Sequence, residues 1–275
     1  MKLLFLGGDR RMLFAAEDIR ESGFETYTYG LKDQSCGDSL FRAVKAADAV
    51  ILPLPVSSNG TTLNAPFTEK TIYLDDIICC EPKYLLGGMI SDEINKKLSQ
   101  KKIPFFDYFS DEKLTAENAV LTAEAAIAIA INGSDASVFR SNALVIGYGR
   151  IGNRLSSYLK TMGATVTATS RKDSVLAAIE ADGLIPKSTD DVKSGLERYD
   201  FIFNTAPSPI MDKEFFSLCS KTCFVEDLAT RAGTDIDSAK ILGICADVYP
   251  GLPGKYFPRS AGKIISKAII RHITE

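Results

Sequence analysis

Residues 2–6 are apolar after Lys2 and run into Gly7-Gly8-Asp9-Arg10-Arg11; apolar positions then recur at helical spacing through Ile19 and stop at Gly23. The pattern predicts a buried strand, a glycine turn and a helix. Short runs at Glu25–Tyr29, Ala49–Leu52, Tyr84–Leu86 and Phe105–Phe109 predict further strands, with helices or loops between them. Strand and helix alternating in this way form a parallel, doubly wound sheet. From Pro53 to Pro66 the chain is crowded with Pro, Ser, Asn, Gly and Thr, which makes it a loop at the carboxyl end of a strand, the edge where open α/β sheets collect ligands.

Thr122 is placed to cap an alanine-rich helix that runs to about Ile131 and ends at Asn132-Gly133-Ser134-Asp135. This helix is expected to connect two domains. Beyond it, strands are predicted at Asn142–Ile146, Thr165–Thr169, Phe201–Asn204, Thr222–Glu226 and Ile241–Ala246. In the last segment Ala261, Ile264, Ile265, Ala268, Ile269 and His272 form one stripe, while Arg259, Lys263, Lys267 and Arg271 form another. An amphipathic helix therefore closes the chain, with His272 packed at the edge of its apolar face and the cations toward solvent.

A length of 275 residues suits two domains, each with its own core. With 45% hydrophobic and 24% charged residues, the composition is globular rather than disordered or fibrous. The net charge of -3 argues against a nucleic-acid partner. No apolar run approaches the roughly 18 residues of a membrane span and no signal-peptide cleavage pattern is seen, so a cytoplasmic protein is expected. The six cysteines include no CxxC pair, which points to free thiols and no metal site. His272 is the only histidine, which removes most schemes that rely on imidazole.

The main chemical signal is Ala143-Leu144-Val145-Ile146-Gly147-Tyr148-Gly149-Arg150-Ile151-Gly152, an apolar strand entering G-x-G-x-x-G, then a helix through Met162, a stop at Gly163 and a strand from Thr165. In such a unit Gly147 permits a tight turn, Gly149 lets the backbone approach a pyrophosphate, and Gly152 allows close helix packing. Tyr148, Arg150 and Ile151 complete a loop whose helix N-terminal amides face the phosphates. The second half thus reads as a Rossmann domain that binds a nicotinamide dinucleotide. Where NAD enzymes usually carry Asp or Glu for the ribose hydroxyls, this chain has Ser170-Arg171-Lys172, a hydroxyl and two cations that suit a 2'-phosphate. NADP is therefore favoured, with NAD possible; the alternative is that Arg171 and Lys172 are surface cations opening the next helix. Asn204-Thr205-Ala206-Pro207 and Asp227-Leu228-Ala229 end two later strands, and their backbone groups are expected to line the nicotinamide ribose. Pro250-Gly251-Leu252-Pro253-Gly254-Lys255 is expected to be a rigid turn leading back to the first domain. The division that follows is a flavodoxin-like α/β domain on the substrate side at 1–121, a connector helix at 122–135, the Rossmann domain at 136–256, and a terminal helix at 257–275 packing back on the first domain.

Several pieces act together: Gly7-Gly8-Asp9 with Arg11, Asn118 with Thr122 and Glu124, Gly147 to Gly152, Asn204-Thr205 with Pro207, Asp227-Leu228-Ala229, Pro250 to Gly254, and Pro258 with Ala261-Gly262. In this combination the chain resembles, along nearly its whole length, the A-subunit family of bacterial dipicolinate synthase, which is related in architecture to D-2-hydroxy acid dehydrogenases. The resemblance implies NAD(P)-dependent oxidation of a dihydrodipicolinate-type intermediate to pyridine-2,6-dicarboxylate in the mother cell during sporulation. It also implies that the partner is a flavodoxin-like B subunit, and that the chain forms a homo-oligomer, commonly a dimer. The chain departs from the family pattern at Ala232-Gly233-Thr234, which lacks a proline and one glycine, and at Leu121, where proline is expected.

A small dicarboxylate substrate calls for cations, and Arg11, Arg231 and Lys255 are the candidates, each with surface solvation as the alternative. Glu124 is the candidate weak base, or a first-turn glutamate that complements the helix dipole. Asn118 is a candidate hydrogen-bond partner for substrate or for a backbone turn, and Asp9 is expected to fix the glycine turn. Other readings stay open: an NADP-binding sensing or scaffolding subunit without catalysis, or another dehydrogenase of a small carboxylic acid. A hydroxy acid dehydrogenase with a histidine–carboxylate pair is disfavoured by the lone His272. A shikimate or methylene-tetrahydrofolate type enzyme needs a catalytic lysine in the first domain, where Lys70 and Lys83 stand in no recognisable motif.

Overall fold

The computed structural model describes residues 1–32, 35–37, 39–229 and 233–274. The chain opens with β1 (Lys2–Leu6), α1 (Arg10–Glu21), β2 (Glu25–Tyr29), α2 (Leu40–Ala46), β3 (Ala49–Ile51), α3 (Leu74–Cys79), β4 (Leu85–Gly87), α4 (Asp92–Gln100) and β5 (Phe105–Asp107). A long helix, α5 (Glu112–Gly133), leads to β6 (Asn142–Ile146), α6 (Arg150–Thr161), β7 (Thr165–Ser170), α7 (Asp173–Ala181) and β8 (Ile185–Ser188). There follow β9 (Phe201–Asn204), α8 (Lys213–Ser217), β10 (Phe224–Asp227), α9 (Ile236–Ile241), β11 (Cys245–Val248), α10 (Leu252–Tyr256) and α11 (Pro258–Thr274). Two compact units result: Met1–Asn118 with Pro253–Glu275, and Ala119–Leu252.

Among the described residues the first unit holds a five-stranded sheet in the order β2-β1-β3-β4-β5, every pairing parallel. Alternate residues of its strands feed two cores. Leu4, Leu6 and Val50 pack with Ile77 and Leu98 on one side, while Leu3, Phe5 and Ile51 pack with Met12 and Ile19 of α1 and Ile265 and Ile269 of α11 on the other. Burial on both faces explains why these strands are almost continuously apolar. Gly262 lets α11 lie close on α1, because a Cβ there would stand 2.6 Å from the Arg11 carbonyl oxygen. His272 belongs to this packing: its ring stacks on Phe106 with centroids 3.6 Å apart, and Nε2 shares a hydrogen bond with the Tyr84 hydroxyl.

The second unit carries a six-stranded parallel sheet in the order β11-β10-β9-β6-β7-β8. The direction of winding reverses between β6 and β9, and the carboxyl edge at such a reversal is where doubly wound sheets bind ligands. Leu144, Ile146, Ile202 and Val225 share one face with Phe215 and Phe216 of α8. Both units are therefore doubly wound parallel sheets, as the alternation of strand and helix predicts.

Four expectations are corrected. The alanine-rich helix begins at Glu112 rather than Thr122, because Asp111 caps it: its Oδ1 accepts from the Leu114 N–H at 2.8 Å and its Oδ2 from Arg271 Nη2 at 2.6 Å. The last strand starts at Cys245, since Ile241 ends α9 and Gly243, with φ of +68°, makes the turn. Pro250–Lys255 is not wholly a turn: Leu252–Tyr256 is helical, and Pro253 is tolerated in a first turn. Finally β8 is an additional strand, which the pattern does not predict because Ile185 and Pro186 are exposed on a sheet edge and give no apolar signal. The division into units falls within α5, after Asn118, so that helix is continuous across it. By length and composition α5 is apolar enough to cross a membrane, but Ala123, Ala125, Ala126 and Ala130 are fully buried, as in the core helix of a folded domain.

Burial alone would raise the Asp111 carboxyl, but the Leu114 N–H and the Arg271 guanidinium outweigh it and hold its pKa below the ordinary carboxylate value. A depressed pKa adds stability above the unfolded carboxylate range, and that stability is lost as pH falls through the folded value. Asp111→Ala is accordingly expected to cost about 1–2 kcal/mol at pH 7 in urea unfolding, with the difference from the parent shrinking below about pH 4.

Candidate functional site

The centre of the second unit is the turn from β6 into α6. Gly147 leaves the strand with φ of +92°, and a Cβ on Gly152 would lie 2.1 Å from its carbonyl oxygen, so the first turn of α6 rests directly on the Gly147 peptide. Gly149 is the N-cap of α6; no side chain caps it, and an added Cβ there would meet nothing within 4 Å. First-turn amides have no partner inside their own helix and carry the positive end of its dipole. Beside open space they make an anion cradle, which fits the pyrophosphate of a dinucleotide. Arg150 and Ile151 continue the first turn, Arg150 exposed and Ile151 half-buried. Tyr148 is half-buried and donates to Asp182 Oδ2 at 2.6 Å; burial first, and then this carboxylate, push its pKa up to about 12.

Threonine hydroxyls hold the same loop. Thr169, fully buried near the end of β7, accepts at Oγ1 from the Gly147 N–H and from the Thr189 hydroxyl, both at 3.1 Å. Thr205, just after β9, brings its hydroxyl within 3.0 Å of the Ile146 carbonyl and 3.2 Å of the Gly147 carbonyl. At the end of β7, Ser170 Oγ accepts from the Lys172 N–H at 3.1 Å, and Lys172 is the N-cap of α7. Arg171 is well exposed, with Nε 3.8 Å from an equally open Asp190 carboxylate, a pairing too solvated to hold it firmly. The nearest acid in sequence is Asp173, in the first turn of α7.

Along the neighbouring strand ends the polar groups satisfy one another. Asn204, 1% exposed, donates to Asp227 Oδ1 at 3.0 Å and accepts from the Ala206 N–H at 3.1 Å. Asp227 also accepts from the Ala229 N–H at 2.9 Å and from the Thr234 hydroxyl. Both ends of the Asn204 amide are thus used within the protein, and Leu228 and Ala229 are buried while Pro207 is exposed. Glu226, one residue before Asp227, points to the opposite face beside Phe203; it is fully buried and neither carboxylate oxygen has a partner. Burial alone raises its pKa to about 9.

In the first unit Asp9 caps α1, accepting from the Arg11 N–H at 2.9 Å, and takes the Arg11 guanidinium at 2.8 Å. Arg11 is 8% exposed and also donates to the Leu54 carbonyl. Gly254 lies against this pair, since a Cβ on it would be 2.7 Å from Arg11 Nε. Lys255, next in sequence, is exposed. Arg231 lies outside the described residues. Asn118 is half-buried on α5, and Glu124 is exposed on the same helix six positions on, turned about 120° away by helical geometry. With α5 starting at Glu112, Glu124 is mid-helix, which corrects its reading as a first-turn partner of the dipole.

The glycine signature locates the turn, but Thr169 and Thr189 carry no sequence signal of their own, since threonine in or beside a strand reads as a strand former. Asp227 reads in sequence only as a strand end, although its matching register with Asn204 on β9 pairs the two.

Known proteins share this fold. Residues 2–109 match the family model for the N-terminal domain of the dipicolinate synthase A subunit. Over its full length the chain is 27% identical to the dipicolinate synthase A subunit of Bacillus subtilis (strain 168), covering 96% of that protein, whose solved structure superposes with a TM-score of 0.87. The structure of the dipicolinate synthase A subunit from Bacillus halodurans matches all of this chain and 98% of its own at 24% identity, with a TM-score of 0.89. A D-lactate dehydrogenase with NAD+ from Lactobacillus jensenii shares the fold at 14% identity and a TM-score of 0.60, over 99% of this chain and 96% of its own.

Glu226 generates a prediction of opposite sign to that for Asp111. Its folded pKa is raised, so folding takes up a proton and the folded state loses stability as pH climbs from the ordinary carboxylate range toward about 9. Glu226→Gln removes that penalty. Urea unfolding is expected to show the variant gaining on the parent by roughly 3 kcal/mol between pH 5 and pH 8, an order of magnitude set by the size of the shift.

Proposed function

We propose, for a chain that belongs through residues 2–109 to the A-subunit family of dipicolinate synthase, that it is a nicotinamide-dependent oxidoreductase of a small dicarboxylate. The observation that carries this reading is the uncapped N-terminus of α6 at Gly149, open where a pyrophosphate would bind. The reaction is oxidation of a dihydropyridine-2,6-dicarboxylate to the aromatic dicarboxylate: the ring loses a hydride and a proton, with NADP+ becoming NADPH. The coenzyme supplies the hydride acceptor when bound.

The protein's part is binding, orientation and charge. The α6 amides take the pyrophosphate, and Gly147 and Gly152 keep that turn tight. Ser170, Arg171 and Lys172 receive the adenosine ribose; two cations and no carboxylate at these three positions favour a 2'-phosphate and hence NADP over NAD. Backbone groups of Thr205, Ala206, Leu228 and Ala229 line the nicotinamide side. Arg11, Arg231 and Lys255 are the cations proposed for the substrate carboxylates, and Arg11 is already paired with Asp9. Asn118 is proposed to orient the substrate; the proton goes to Glu124, which lies on another face of α5, or to water, since aromatisation drives its loss and a weak base suffices. The proposed assembly is completed by homodimerisation and by a flavodoxin-like second subunit.

One observation favours a second reading, a coenzyme-binding subunit that does not catalyse. The single histidine is held in an aromatic stack with its Nε2 shared with the Tyr84 hydroxyl, so imidazole is not at hand to move protons. Adding the hydroxytetrahydrodipicolinate precursor, which yields the dihydropyridine by loss of water, with NADP+ and following dipicolinate absorbance decides between them. Product formed by this chain, alone or with its partner flavoprotein, supports the oxidoreductase; tight coenzyme binding without product in either case supports the second reading.

Gly149→Ala is expected to leave thermal stability almost unchanged, because the added Cβ meets no protein atom, yet to weaken NADPH and NADH binding at least about tenfold by intruding on the pyrophosphate. Arg171→Ala is expected to weaken NADPH about tenfold and NADH little, which fluorescence titration with both coenzymes measures directly.

A further inference from the structure

Resting on the dinucleotide reading above, we infer that Thr169 and Thr205 are positioning residues that clamp the Ile146–Gly147 peptide from both sides and so set the affinity of the α6 cradle for the pyrophosphate. The two hydroxyls come from different strands. Thr169 on β7 takes the Gly147 N–H, and the Thr205 hydroxyl after β9 lies 3.0 Å from the Ile146 carbonyl of the same peptide group and 3.2 Å from the Gly147 carbonyl. Gly147 sits at a positive φ that a peptide without such ties leaves readily, since glycine has the widest backbone freedom of any residue.

The clamp reaches further than the one peptide. A Cβ on Gly152 would lie 2.9 Å from Thr205 Oγ1, so this hydroxyl stands where the loop and the first turn of α6 meet. Thr189, following β8, donates to Thr169 and fixes its hydroxyl so that the lone pair is presented to Gly147. Two strand ends thus meet on one peptide, and a third supports them through Thr169. The residue after Thr169 is Ser170, which opens the segment proposed to hold the ribose, so the clamp also fixes the spacing between pyrophosphate and ribose sites. None of these hydroxyls needs to touch the coenzyme to do this; they act through the Ile146–Gly147 peptide.

Thr→Val removes the hydroxyl and keeps the shape, whereas Thr→Ser keeps the hydroxyl. Thr169→Val and Thr205→Val are expected to weaken NADPH and NADH alike, each by about five- to tenfold, with the ratio of the two affinities unchanged because the pyrophosphate is common to both. Thr169→Ser and Thr205→Ser are expected to bind within about twofold of the parent. Titrations are made well below the unfolding temperature measured for each variant, so a loss of stability alone does not move the readout. Unchanged affinity in the valine variants overturns the inference. So does a loss confined to NADPH, or an equal loss in the serine variants, which would assign the effect to the methyl group. If the valine variants do not fold, Thr189→Val decides: it loosens Thr169 only, and an affinity equal to the parent's overturns the inference, while an equal two- to threefold loss for both coenzymes, about that expected of one neutral hydrogen bond one step removed, sustains it. A parent chain that binds neither coenzyme defeats the dinucleotide reading itself and is distinguishable from all of these.

Discussion

The second unit depends on the contact between Gly152 and the Gly147 carbonyl. A side chain at Gly152 would place its Cβ 2.1 Å from that oxygen, so only glycine lets α6 begin where it does. Once the helix starts there, its first turn lies at the carboxyl edge of the sheet, beside the point where strand order reverses between β6 and β9. Gly149 is left exposed, and the amides of the turn are directed outward before any anion arrives. An anion then meets donors already in place rather than a chain that has to be ordered, which removes the entropic cost of assembling a phosphate site on binding.

The buried polar groups around this contact follow from strand alternation. Asp227 and Glu226 are adjacent acids on β10 and are equally buried, yet they face opposite sides of the sheet. Asp227 shares its side with strand-end amides and hydroxyls, and Asn204, Ala229 and Thr234 satisfy it. Glu226 shares its side with Phe203 and finds no partner, so it keeps its proton. One residue of register separates an acid whose oxygens organise a loop from one that finds no partner and weakens the fold as pH rises.

Much of this is legible in the sequence because apolar runs and glycine stops report directly on buried strands and tight turns. The strands Asn142–Ile146 and Phe201–Asn204 lie where their apolar runs put them. Features set by tertiary partners are not legible. The helix start at Asp111 depends on Arg271, far away in sequence, and β8 is an exposed edge whose side chains carry no apolar pattern. The side-chain partners of Asn204, Asp227 and the Ala206 N–H, are likewise fixed by strand register and carry no local sequence signal. The threonine clamp is hidden for a simpler reason: a hydroxyl's partner is a matter of strand order, and strand order is not written locally.

Both units begin with the same device, a first strand passing through a glycine turn into a helix, yet only one makes an anion site. In the first unit Gly8 donates to the Asn64 carbonyl, the space above it is filled by Met12, and the Asp9 carboxylate occupies the N-terminus of α1. A carboxylate at that position satisfies the helix amides and repels a second anion. In the second unit the cap is Gly149, which has no side chain to do either, and the position stays open. The difference between an aspartate and a glycine at the N-cap therefore decides which of two topologically similar turns can hold a phosphate. In the first unit the same residue change releases a different use, since the Asp9 carboxylate draws in Arg11 and places a nearly buried guanidinium against Gly254, beside the exposed Lys255. Positive charge is thus carried by open backbone amides in one unit and by a side chain already paired with Asp9 in the other.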